Sequence, residues 1–310
     1  MKLYINRLLL FAAALVLFTS CEDVIDPNLK DADPVLVVDA WINDKVEDQV
    51  IRLSLSQPYL SGELPDGVSG ATVTVAYDGG SIDFVEDFDE PGVYRWTTDE
   101  TATEEVFGQI GREYTLTVTV NGQTFEATSR INRTATIDSV TFEKDDSPFY
   151  PEDSYIAQFW ATEPEGTGDT YWIRSYKNGE MLSKPSEINI AYDAGFSPGG
   201  SFDGITFIPP IREVNPNDVD EDDQPLSPYA IGDSLYVEIH SITYAAFTFL
   251  NQVIVQTDRP GGFGELFSTP LANVSTNIRA VTLGQLKAVG FFNVSAVQGL
   301  GKKLEEAAIN

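Results

Sequence analysis

The sequence predicts a mainly β protein, with an N-terminal Ig-like β-sandwich over residues 34–133 and a second β-rich domain with one helix over 134–310. From Pro34 onward, short runs of alternating or β-branched character recur. Turn-forming residues separate them, with 24 Gly and 17 Pro among 310 residues. Apolar side chains take helical spacing in one clear place, 243–256.

Before the first strand come Lys2 and Arg7, an apolar run from Leu8 to Phe18, then Thr19, Ser20 and the only cysteine, Cys21. This is the pattern of a signal peptide over residues 1–20, because the run is shorter than the roughly 20 residues that span a bilayer. A lone thiol at the cleavage site can form no internal disulfide and is the expected site of diacylglycerol attachment. Phe18 stands where bacterial lipoboxes usually carry Leu. Acyl chains contribute about 0.8 kcal/mol per buried CH₂, so the lipid bilayer is the expected partner of acylated Cys21. Residues 21–33 are polar and acidic and read as a tether.

With 48 Asp and Glu against 19 Lys and Arg, the formal charge is −29. Such a surface repels nucleic acid and anionic head groups, and no local basic patch offsets it. Without structural cysteines, stability rests on burial of apolar surface.

The first domain is expected to contain strands near 35–42, 49–55, 71–77, 81–86, 92–96, 112–120 and 123–131. Asn121-Gly122 between the last two predicts a type I′ hairpin, since both residues tolerate positive φ. Tyr114 reads equally as a tyrosine corner or as a plain core aromatic. In the second domain, strands are expected near 137–143, 154–161, 170–176, 204–208 and 234–242, with a long Gly, Pro and Asp-rich insertion over 177–233. Thr243 caps the predicted helix. A Gly and Pro cluster follows it, then terminal strands between Leu283 and Val297 and a charged tail.

His240 is the only histidine. One His and a lipidated Cys cannot build a multi-ligand zinc site, and the alternation of residues 234–242 makes His240 a surface or edge residue beside Glu238. No nucleophile elbow, phosphate loop or dinucleotide fingerprint occurs. Carboxylate pairs cannot be placed from sequence spacing. Asp218, Asp220 and Asp222, with Glu221 and Asp223, have an alternating spacing that suits calcium. An EF-hand would require Gly where Asp223 stands and Glu where Tyr229 stands, so a solvated acidic loop is the simpler expectation. Trp41, Trp96, Trp160 and Trp172 fall mostly in strand register and read as core. Tyr192, Phe196, Phe202 and Phe207 instead lie in the Gly/Pro-rich loop, the candidate surface for a ligand or partner, weighed against packing on their own domain.

Several short motifs carry a family resemblance: the box ending at Cys21 with its acidic tether, Gly111-x-x-Tyr114-x-Leu116, Ile137 to Val140, the late helix, Asn273-Val274 with Asn277-Ile278, and Gly290 to Ser295. Together they resemble the DUF4249 family of Bacteroidetes outer-membrane lipoproteins. The resemblance implies a partner of a TonB-dependent receptor; with the lipid anchor, the acidic residues after Cys21, the tandem β-domains and the missing catalytic signatures, the expectation is a non-enzymatic outer-membrane lipoprotein, at the cell surface, that assists nutrient capture. An extracellular structural or adhesive role is the alternative, and a carboxylate-dependent hydrolase comes third. No cofactor is expected, calcium excepted.

Overall fold

Period-two alternation puts every second side chain into a core, and strand β1 (Leu36–Asn43) shows the outcome: Leu36, Val38, Ala40 and Ile42 are buried while Asp39 is exposed. The computed structural model describes residues 32–58, 61–148, 150–282 and 286–306. The expected signal peptide, Cys21 and nearly all of the tether lie outside the described residues. β2 (Gln49–Leu55), β3 (Thr72–Tyr77), β4 (Gly80–Glu86), β5 (Val93–Trp96), β6 (Glu113–Val120) and β7 (Gln123–Arg130) form close to their expected positions. Asn121 and Gly122 take φ of 51° and 76°, as the hairpin between β6 and β7 demands.

Helix α1 (Glu100–Phe107), between β5 and β6, was not anticipated. Asp99 caps it by accepting from Ala102 N at 2.8 Å. Tyr114 serves as a tyrosine corner: its hydroxyl donates to Val106 O at 2.7 Å, tying β6 to the end of α1.

These strands need two more from the far end of the chain. β14 (Arg279–Ala280) pairs with β7, and β15 (Ala288–Ser295) runs parallel to β1 with Leu36 opposite Ala288. The order is β14-β7-β6-β3-β4-β5-β2-β1-β15. β4 changes partner along its length, pairing with β3 through Phe84 and with β5 from Val85, so the layer folds over at that point. Its two ends then meet. Asn277 joins them: its Nδ2 donates to Phe292 O of β15 at 2.8 Å and Thr128 O of β7 at 3.3 Å, and its Oδ1 accepts from Phe292 N at 3.0 Å. The nearly closed barrel encloses one apolar core that includes Ile51, Val75, Tyr94, Leu116, Phe125 and Phe292.

The second layer holds β10 (Thr170–Lys177), β11 (Glu180–Met181), β12 (Asn189–Tyr192), β13 (Ser234–Ile242) and β16 (Val297–Lys303), ordered β11-β10-β13-β16 with β12 also on β10. A hairpin of β8 (Thr136–Lys144) and β9 (Tyr155–Thr162) shares its core. Two expectations fail here. Residues 204–208 form no strand, because Thr206 makes only an isolated bridge to Thr162 before the single turn α2 (Pro209–Arg212). The supposed charged tail is β16, paired with β13 from Val297 to Lys303. Helix α3 (Tyr244–Thr257) matches its expectation, with Thr243 Oγ1 accepting from Ala246 N at 3.2 Å.

A third apolar cluster lies where α3 meets both layers. It combines Ala246, Phe247 and Leu250 of α3 with Ile190, Ile242 and Phe291, and Trp41 and Trp172 pack against it. Pro34–Asn310 forms one compact unit.

β15 can lie beside β1 because Gly290, at φ 100°, has no Cβ; one built there would sit 2.1 Å from Val38 O. Gly290→Ala is therefore expected to lower unfolding free energy by about 3 kcal/mol, combining overpacking with backbone strain. Gly122, at φ 76°, faces open space, so Gly122→Ala is expected to cost only about 1 kcal/mol. Urea titration of both variants checks the ordering, and equal losses would contradict it.

Candidate functional site

The long insertion after β10 folds back on its own layer and leaves a cleft against α3. About 320 Å³ of space is lined by Leu182, Ile188, Ile190, Phe196, Val214 and Ile254, with Asn189, Asn215, Asn251 and the carboxylates Glu187 and Glu213 among the polar groups. A second cleft, sharing Leu182 and Glu187, continues along the β10–β11 hairpin past Met181 and Lys184. Three of the cleft's polar groups brace its walls. Glu187 accepts from Lys184 N at 2.9 Å and Asn217 N at 3.0 Å, Asn189 Nδ2 donates to Ile211 O at 2.6 Å, and Asn215 Oδ1 accepts from Ala157 N at 2.7 Å.

The four loop aromatics separate. Phe196 is exposed on the cleft rim. Tyr192 packs edge-on against Tyr244 and Phe247 of α3. Phe202 is half-buried against the second core, and Phe207 is fully buried between Phe159 and Tyr171. Phe196 is thus the exposed member and Tyr192 and Phe202 are half-buried; Phe207 is a core residue that happens to lie in a Gly/Pro-rich stretch.

The acidic loop is folded on itself. Asp220 Oδ1 accepts from Asp222 N and Gln224 N, each at 2.9 Å, and Asp218 pairs with Lys184. Among the described residues, no three His, Cys, Asp or Glu side chains converge as a metal cage. The tryptophans offer little open face: Arg174 lies 3.7 Å over Trp172, Arg212 lies 4.1 Å over Trp160, and Trp41 stacks on Phe291.

Glu163 has one attribute of a general acid. Burial, with Asp169 and Asp193 nearby, pushes its carboxyl up to about 7. It is nevertheless enclosed, and its oxygens accept from Tyr171 Oη at 3.3 Å and Gly204 N at 2.7 Å, which anchors the insertion.

The most concentrated electrostatics lie elsewhere and correct the expectation for His240. Rather than a surface or edge residue, His240 is 3% exposed and Glu238 2% exposed, on a strand paired on both sides and covered on both faces. Glu238 accepts from Lys45 Nζ at 2.6 Å, His240 Nε2 at 2.9 Å and Tyr176 Oη at 3.1 Å. Lys45 belongs to the β1–β2 turn, so the cluster ties the first layer to the second. Burial opposes the charge of Glu238, but the hydrogen bonds from His240 and Lys45 hold its carboxyl down at about 2. Burial, with Arg174 close by, outweighs Glu238 at the imidazole and holds His240 neutral, at about 4.

A histidine kept neutral in the folded protein weakens it in acid. As pH falls from 6.5 toward 4, the unfolded chain takes up a proton that folded His240 refuses, so stability declines across that window. His240→Gln keeps a donor for Glu238 without titrating. Its stability relative to the parent is expected to improve by on the order of 2 kcal/mol between pH 7 and pH 4.5, read by denaturant titration at each pH. A constant difference would contradict the assignment.

The family model described as "Domain of unknown function (DUF4249)" matches residues 22–299. Comparison with curated proteins gives no match. The matched span includes every strand of the barrel, α3 and the start of β16, and the chain belongs to the DUF4249 family.

Proposed function

We propose that this chain is a lipid-anchored, non-enzymatic binding protein of the outer membrane, displayed at the cell surface, that docks on a TonB-dependent receptor and assists nutrient capture. The observation that carries the binding role is the cleft between the insertion and α3. Leu182, Ile188, Ile190, Val214 and Ile254 give it apolar walls, Asn189, Asn215 and Glu187 brace backbone, Asn251 and Glu213 add polar groups that can orient a ligand, and the acid–base groups with shifted ionisation, Glu163, Glu238 and His240, do not line it. A pocket so furnished supports a binding role. The apolar run ending at Cys21, followed by an acidic tether, supports the anchor. Membership of the DUF4249 family supports the receptor partnership only through the lipoprotein resemblance on which that expectation rests.

Two measurements test the proposal. Labelled palmitate is expected to enter the parent protein and not a Cys21→Ala variant, and a receptor barrel is expected to co-purify from solubilised outer membranes. Absence of label, or repeated purification without a receptor, would overturn the corresponding half.

A further inference from the structure

After α3 the chain makes one short helical turn, Gly262–Phe267, within a segment whose surface differs from the rest of the molecule. Phe263, Leu266 and Phe267 are 78%, 75% and 80% exposed, and the two phenyl rings meet edge to face at 5.6 Å. Between Pro260 and Ile278 the sequence holds a single charge, Glu265, and Arg259 neutralises it through Nε at 2.5 Å and through Nη2. The segment is held in place. Arg259 also donates to Thr269 O at 2.8 Å, while Gln256 and Gln252 of α3 accept from Ala272 N at 2.8 Å and Ser275 N at 2.6 Å. A chain of net charge −29 thus presents a braced, effectively neutral apolar knob.

We propose that Phe263, Leu266 and Phe267 enter the interfacial layer of a zwitterionic bilayer. Charge selects this occupant. An anionic lipid surface, or a second copy of the same acidic chain, would be repelled, whereas a zwitterionic surface carries no net charge to oppose the approach. Area argues the same way. Three such side chains offer roughly 500 Å², short of the roughly 800 Å² per partner that a stable protein dimer buries. Length permits the contact: Cys21 lies twelve residues before Asp33, so a lipid at Cys21 would keep the folded unit within roughly 40 Å of the membrane. Proximity of that kind lets a small apolar contact operate at high effective concentration. The inference does not depend on a receptor partner.

The test uses the unlipidated chain beginning at Glu22 and vesicles of dioleoylphosphatidylcholine, with binding read by flotation. The parent is expected to float with the vesicles. A Phe263→Ser, Leu266→Ser, Phe267→Ser variant should lose binding by at least about 100-fold, on the basis of roughly tenfold per apolar side chain. Phe88→Ser, which removes an exposed phenyl elsewhere on the surface, should bind as the parent does. Adding phosphatidylglycerol at low salt should weaken binding. No flotation of the parent, undiminished flotation of the triple variant, or tighter binding to the anionic vesicles would overturn the proposal. So would a parent that sediments as a dimer and becomes monomeric in the triple variant, since the knob would then be a contact between copies. Failure here leaves palmitate labelling and receptor co-purification untouched, so the two proposals fail separately.

Discussion

Ala288 to Lys303 runs through both layers as one extended segment, broken only at Ala296, and the rest of the fold depends on that shared strand. Its first half is the parallel partner of β1, and its second half is the outer partner of β13. The crossing point is pinned from both sides. Ser241 Oγ accepts from Ala296 N at 2.9 Å, and Asp44 Oδ1 accepts from Val297 N at 2.8 Å. Side chains of β15 are divided accordingly: Phe292 and Val294 enter the barrel core, while Phe291 enters the cluster under α3. Asn293, fully buried, accepts from Thr243 N at 3.1 Å and so fixes where α3 starts. The helix that walls the cleft is therefore positioned by the strand that completes the barrel.

A second connection reinforces the first. The Lys45–Glu238 pair spans 193 residues of sequence and buries a carboxylate that three donors satisfy. Such a cluster adds little net stability over an apolar one of equal volume, but removing one partner leaves a charge without compensation. Its contribution is thus to fix how the β1–β2 turn sits on β10 and β13.

The parts of this fold that follow local rules were legible in the sequence. Half-buried strands such as β1 and β6 show period two, the Asn121-Gly122 turn announces its hairpin, and α3 carries both spacing and cap. What could not be read depends on partners distant in the chain. Nothing local in Gly290–Ser295 says that it will pair with β1 in parallel, and nothing local in Glu238 and His240 says that α3 and the first layer will cover their face. Short elements also escaped: α1 has little apolar stripe, although Asp99 followed by an acidic first turn is a usable start signal. Of the four loop aromatics expected at the candidate site, Phe196 alone lines the cleft. Phe196 is exposed there while Phe207 belongs to the core, and most of the cleft comes from insertion residues between Leu182 and Asn215, with Asn251 and Ile254 of α3 opposite. The motifs that carry the family resemblance turn out to be scaffold: Tyr114, Asn277 and Gly290 to Ser295 close the barrel and join it to the second layer.

If one strand unites the layers, they must open together. Native-state hydrogen exchange with increasing denaturant measures this directly, by following amides of β6 in the barrel and of β10 in the second layer. Both sets are expected to converge on one opening free energy and one denaturant dependence. Exchange of β10 through an opening that leaves β6 protected, or the reverse, would show two separable units and contradict the account.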